Sequence, residues 1–276
     1  MAAHCCLASR TDKTCSRQHA GSINAVCDAV PRHCEAHIEM KVVLCVLVCL
    51  SVCACDAGSA PFIRPCHAAD SACLKSSAQQ AVPVLAAGIP SMGIETLDPM
   101  RVDRVMTSQA GLDMDFRNTI VKGLRNCEVI SLKRDGPNKT YLELKCSVTM
   151  IGDYNLGGKL LILPIEGNGK YKIKIRDIYV KIALDIGEKL VNGQKYWSVI
   201  RWKHSADVKT GVEFHFQNLF NGNKQLSDTI HEFANSNWKE IFQEVAPPIV
   251  KAVVTKIVNE STKLFDNVAI SEMALD

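Results

Sequence analysis

The sequence predicts an α+β fold in which one long C-terminal helix is wrapped by a strongly curved antiparallel β-sheet. Three observations lead there. Apolar residues recur at steps of three and four from about Leu226 to Val268, among them Ile230, Trp238, Ile241, Phe242, Val254 and Leu264, while Asp228, Glu232, Lys239, Lys251 and Lys263 fall mostly on the other side. From Val102 to Phe220 the period changes to two. One alternating run then loses phase: Tyr171, Ile173 and Ile175 share a face, the pattern slips at Arg176-Asp177, and Ile178, Val180, Ile182, Leu184 and Ile186 continue on even numbers. A one-residue slip inside a long strand is the signature of a β-bulge, which bends the strand.

Residues 42–55 form a continuous apolar run of about 14 residues, preceded by Met40-Lys41 and followed by the small residues Ala57, Gly58, Ser59 and Ala60. That layout is a secretory signal peptide. It is shorter than the ~20 residues needed to span a bilayer. We therefore divide the chain into residues 1–39, a non-native or removed extension; 40–57, the signal; and 58–276, a single domain. Residues 1–39 hold Cys5, Cys6, Cys15, Cys27 and Cys34 beside His4, His33 and His37, but without the paired short spacing of a zinc finger.

After an extended arm carrying Pro61 and Pro65, Asp70 or Ser71 caps a first helix running to about Ala87, with Pro83 straining or bending it. Proline and glycine between Gly88 and Pro99 give an irregular linker. About six antiparallel strands follow. Leu112, Met114 and Phe116 alternate with Asp113, Asp115 and Arg117; Leu142 to Met150 and Val212 to Phe216 alternate likewise. Asp135-Gly136-Pro137-Asn138 is a strong turn, and Asn168-Gly169 and Asn192-Gly193 read as hairpin turns. Ser227 or Asp228 starts the terminal helix. A straight helix from Leu226 to Val268 would be about 65 Å long, so we expect it to kink at Pro247-Pro248 and the domain to be elongated along it.

Secretion favours disulfides. Cys66 and Cys73 enclose a short loop at the entrance of the first helix. Cys127 and Cys146 flank the Asp135–Asn138 turn symmetrically, so a hairpin sets them opposite each other. Of the three pairings open to four cysteines, this one fits best.

The net charge of +3 and the lack of an arginine-rich cluster argue against nucleic acid. No Gly-x-Ser-x-Gly elbow or phosphate-cradling loop is present, so an esterase lacks its nucleophile motif. His231-Glu232 opens like a helical zinc-protease motif, but Asn235 stands where the second histidine belongs; both read as residues on a solvated helix face. Asp113 and Asp115 read as exposed strand charges, His204 and His215 as surface positions, and Lys170, Lys172 and Lys174 as a solvated face. No metal or cofactor is implied. Asn138 and Asn259 begin N-x-Ser/Thr sequons, the first at a turn and the second, less accessible, on the helix.

Apolar surface is what the chain has in excess. A helix touching a curved sheet along its length makes a tube, and a tube left incompletely filled is a hydrophobic tunnel able to admit a lipid-like ligand. At about 0.8 kcal/mol per methylene, a chain of about 12 carbons offers roughly 9 kcal/mol before entropic costs. Candidate wall residues are Phe116, Val148, Ile182, Phe214, Phe216, Trp238, Ile241 and Phe242. A secreted signalling or structural protein with a filled core is the alternative.

Several stretches together carry a family resemblance: the Cys66-x6-Cys73 loop, Gly88-Ile89-Pro90 through Leu97-Asp98-Pro99, Asn218-Leu219-Phe220-Asn221-Gly222-Asn223 and Asn237-Trp238-Lys239-Glu240. From about Cys66 to Asp266 the chain closely resembles the insect takeout and juvenile hormone-binding protein family. The resemblance implies a long helix wrapped by a curved antiparallel sheet, with a tunnel for a juvenile hormone-like terpenoid or a fatty acid. We expect a secreted, non-enzymatic carrier, a monomer without stable membrane insertion. The terminal helix lacks the cysteine of the hormone-binding branch, which points to the takeout-like branch. The tail, Val268-Ala269-Ile270-Ser271-Glu272-Met273, departs from the proline-tyrosine-acidic ending of the family.

Overall fold

The computed structural model describes residues 59–275; the expected signal at 40–57 and the segment before it lie outside the described residues. Asp70 caps helix α1 (Ser71–Ala87), its carboxylate accepting from the Cys73 amide at 2.9 Å, and the helix runs through Pro83 to Gly88. The linker then folds through a short 3-10 turn, Pro90–Met92.

Six strands form one antiparallel sheet: β1 (Met100–Gln109), β2 (Leu112–Lys122), β3 (Glu128–Asp135), β4 (Lys139–Leu160), β5 (Leu163–Val191) and β6 (Gln194–Phe216). β4, β5 and β6 have 22, 29 and 23 residues, several times the usual five or six. The sheet order is β1-β2-β4-β5-β6, and β3 also pairs with β4. β2 and β3 thus lie end to end along one edge of β4, broken at Gly123. A side chain at Gly123 would come within 2.3 Å of the Ser147 carbonyl oxygen, and its φ of 108° is left-handed, so only glycine fits this break.

The slip at Arg176-Asp177 is a bulge in both ladders of β5. Asp177 takes a φ of 48°, and a matching bulge in β2 puts Asn118 at 52°. Both side chains are held: Asn118 Nδ2 donates to Asp153 at 2.8 Å, and Asp177 accepts from Thr210 and pairs with Lys145 at 3.3 Å. Short polar residues tolerate this conformation, and the bulges they occupy add local twist, which curls the sheet.

Two hairpin expectations part company. Asn192-Gly193 does turn β5 into β6. Asn168-Gly169 instead lies inside β5, paired with Asn155 and Tyr154, and the β4–β5 turn falls at Leu161-Ile162. Gly169 is small because the neighbouring chain is close: a Cβ there would sit 2.8 Å from the Gln217 carbonyl oxygen.

The terminal helix is segmented. Asn223, rather than Ser227 or Asp228, caps α2 (Lys224–Ser236) by accepting from the Leu226 amide at 3.2 Å. α3 (Trp238–Val245) and α4 (Pro247–Asn267) follow. The break before Pro247 is the expected one. The break at Asn237 was not expected; its side chain and amide both bond back to the Phe233 carbonyl, at 2.8 and 3.0 Å, closing α2. α4 packs into the concave, half-barrel face of the sheet, burying Val254, Val258 and Leu264.

Helices also finish the sheet edges. Gln79 of α1 donates to the Cys127 carbonyl and accepts from the Val129 amide on β3, at 3.0 and 2.7 Å. On β6, Asn235 of α2 holds both the amide and carbonyl of Phe214, at 2.7 and 3.3 Å, and His231 accepts from the Phe216 amide at 2.9 Å. Backbone groups that would template another strand are thereby satisfied.

The tail turns through α5 (Ile270–Met273) and returns to the arm. Ala274 bridges Cys66, the Leu275 amide donates to the Cys66 carbonyl at 3.2 Å, and Glu272 accepts from the amide and hydroxyl of Ser59. Disulfides join Cys66 to Cys73 and Cys127 to Cys146, with Cα separations of 5.8 and 4.4 Å. Cys127 meets Cys146 because a bulge between Val129 and Ser131 offsets the three-residue Gly136–Asn138 loop.

Candidate functional site

Between α4 and the sheet lies an apolar cavity of about 380 Å³, within the ~300–1,000 Å³ typical of small-molecule sites. The strand phase explains its wall. On β5, Ile173 and Ile175 face it before the bulge and Ile178, Val180, Ile182, Leu184 and Ile186 after it. Without the bulge, the second half of β5 would turn its lysines and Asp185 inward. On β4 the inward residues run from Thr140 to Leu160, and the helical side is closed by Ile241, Phe242, Val253, Val254 and Ile257.

Seven of the eight candidate wall residues line this cavity: Phe116, Val148, Ile182, Phe214, Phe216, Ile241 and Phe242. Trp238 is not among its lining residues; at the first position of α3 it is half-buried and packs against the core from outside the cavity. Helical spacing placed it on the apolar stripe, but the break at Asn237 redirects the stripe. Sequence reasoning missed Leu74, Ala78 and Val82 of α1, and Arg134 and Trp197 at the β3 and β6 ends.

One end of the cavity is aromatic. Phe116 meets Tyr171 edge-on at 4.8 Å, and Phe216 meets Tyr154 likewise at 4.8 Å. The phenols point to protein partners, Tyr154 donating to the Gln217 carbonyl at 2.6 Å and Tyr171 sharing a 2.7 Å bond with Thr119. Burial pushes both hydroxyls up to about 12, so this end carries no charge. At the other end Trp197 stands edge-on to Phe265 at 5.7 Å, and the Arg134 guanidinium lies over the Trp197 ring at 4.7 Å.

The polar residues singled out in the sequence are structural. Asp115 pairs with Arg104 at 2.8 Å, which holds its carboxyl below the usual range. Lys170 and Lys174 pair with Asp153 and Glu213. His204 is half-buried beside Trp202 rather than a surface position, and burial lowers its pKa. His231 is not on a solvated face either. Its Nδ1 donates to the Ser227 carbonyl at 2.8 Å, so Nε2 is free to accept from Phe216, and its ring stacks on His215 at 5.5 Å. Burial pulls its pKa down, with the Ser227 carbonyl and Asp228 opposing and His215 reinforcing.

A histidine held neutral by the fold binds fewer protons than in the unfolded chain. Its stabilisation is complete above the unfolded value of about 6.5 and is lost as pH falls through the lower folded value. Thermal melting should therefore show a lower midpoint at pH 5.5 than at pH 7.5, and His231→Gln should reduce that difference. An equal pH dependence in the variant would remove His231 from the account. Among the described residues, no group of three or more His, Cys, Asp or Glu side chains could hold a metal, and no helix is long and apolar enough to cross a membrane.

The fold is shared with known proteins. Residues 43–275 match the family of haemolymph juvenile hormone binding proteins. The chain belongs to that family. Haemolymph juvenile hormone binding proteins are non-enzymatic carriers of hydrophobic small molecules, and the takeout proteins are of the same kind. The crystal structure of Takeout 1 from Epiphyas postvittana is similar with a TM-score of 0.76 and 32% identity, covering 78% of this chain and all of that one. The circadian clock-controlled protein daywake of Drosophila melanogaster is 26% identical over 204 residues, 69% of this chain and 78% of its own length. Its Drosophila yakuba counterpart is 24% identical over the same length.

Proposed function

We propose that this member of the family is a secreted carrier that holds one terpenoid or fatty-acyl molecule in the cavity between α4 and the sheet. The observation that supports this most is the wall itself. Seven inward-facing side chains chosen from alternation and helical spacing converge on one apolar cavity, where a protein with a filled core would interdigitate them. Binding is by burial. A cavity of about 380 Å³ is more than twice the ~150 Å³ apolar cavity that stays dry and admits benzene. Secretion is supported by the signal-like layout of residues 40–57, the two disulfides and the haemolymph character of the family. Asn138, at an exposed turn, and Asn259, exposed on α4, are the asparagines that would then carry glycans.

Native mass spectrometry of protein purified from secreting insect cells, with solvent extraction of what co-purifies, tests the reading. A bound apolar molecule of fatty-acyl or terpenoid mass is the expected result. Protein at its bare mass that also fails to take up a fluorescent fatty acid would overturn it.

A further inference from the structure

The cavity wall changes character along its length. Phe116, Leu156, Leu160 and Ile165 make one end wholly apolar. Near the opposite end Arg134 and Thr140 face each other across the β3–β4 ladder, and both line the cavity. Other polar side chains on the wall are accounted for. Ser77 and Ser261 donate to the carbonyls of Arg64 and Ile257, at 2.8 and 2.9 Å, and Arg64 is itself exposed.

Arg134 is different. Its Nη2 donates to the Pro137 carbonyl at 3.0 Å, and one face of the guanidinium is covered by Trp197. Its Nε is buried and has no hydrogen-bond partner, the one such side-chain atom among the described residues. Among those residues no carboxylate pairs with it either. A buried N–H without an acceptor costs stability, more so on a charged group, and each such group asks for an explanation. Arg104 shows what the same edge does elsewhere in this chain: its Nε and Nη2 grip both oxygens of Asp115, at 2.8 and 3.0 Å.

We propose that Arg134, with the Thr140 hydroxyl beside it, is the head-group anchor of the cavity, and that the ligand class is a long-chain free acid whose carboxylate sits at Arg134 and whose chain runs toward Phe116 and Leu160. This rests on the carrier reading and narrows it. A guanidinium fork matches a carboxylate with two parallel bonds, whereas an ester or hydrocarbon leaves the charge unanswered. Trp197 covers one face of the guanidinium, which leaves its edge, with the unpartnered Nε, for the carboxylate.

The test is displacement of a fluorescent naphthylamine probe by palmitate and by methyl palmitate at pH 7.4, on the wild-type protein and on Arg134→Met. Palmitate should bind the wild type about 10- to 100-fold more tightly than the ester, the range of a charge-assisted pair. Arg134→Met should lose that factor for the acid and stay within about twofold for the ester. If Arg134→Met fails to fold, Arg134→Lys decides: it keeps the charge but not the fork, and should lose several-fold for the acid only. Equal affinity of acid and ester in the wild type, or an acid preference untouched by either variant, would overturn the anchor and leave the carrier standing. A wild type that takes up neither the probe nor either lipid would instead overturn the carrier.

Discussion

Phe214→Asp is expected to weaken binding of a fluorescent C16 fatty acid by more than 100-fold while leaving a folded protein. Phe214 lines the cavity and is half-buried, and its backbone is held at both the amide and the carbonyl by Asn235. The side chain therefore cannot swing away from the wall by rotating the strand. An ionised carboxylate there has no partner among apolar neighbours, and its desolvation costs several kcal/mol; if it takes up a proton instead, the apolar contact is still lost. Trp238→Asp supplies the contrast. Because Trp238 packs outside the cavity, its replacement should lower stability and leave uptake within a few-fold. Fluorescence titration of both variants, with circular dichroism to confirm folding, separates wall from support. Full uptake by folded Phe214→Asp would place the ligand elsewhere.

Removing the Cys127–Cys146 disulfide is the second large effect. The bond closes a loop with a sequence separation of 19, for which chain entropy gives about 3 kcal/mol. That is a large share of the ~5–15 kcal/mol that holds a domain together. The position adds to it, since both cysteines line the cavity and Gln79 grips the β3 backbone beside them. Urea unfolding of Cys127→Ala/Cys146→Ala should lower the extrapolated free energy of unfolding by about that amount. A shift below about 1 kcal/mol would mean that α1 alone fixes the β3 edge.

What the sequence showed and hid has physical causes. The bulge at Asp177 was legible because an apolar face must stay inward, so a change of parity among isoleucines has one cheap explanation. The cysteine pairing was legible because hairpin symmetry survives when one bulge offsets one extra loop residue. The β4–β5 turn at Leu161-Ile162 was not, because Leu161 takes a φ of 54° with no glycine or asparagine to announce it. Asn168-Gly169 announced a turn that does not exist, because glycine serves close backbone approach as readily as it serves turns. The break at Asn237 was hidden since the apolar spacing continues across it. For the site, alternation told which side chains face inward but not which of them meet a cavity; Trp238 shows the difference. Arg134 left no sequence signal, being one charged residue at the end of a charged strand.

Ser59 and Leu275 are held beside the same disulfide loop, one through Glu272 and the other through the Cys66 carbonyl. Topologically the domain is close to a ring with a single cut. Joining those two positions by a short linker and reopening the chain at the exposed Asn192-Gly193 turn would permute the order of the elements while keeping every strand beside its present neighbour.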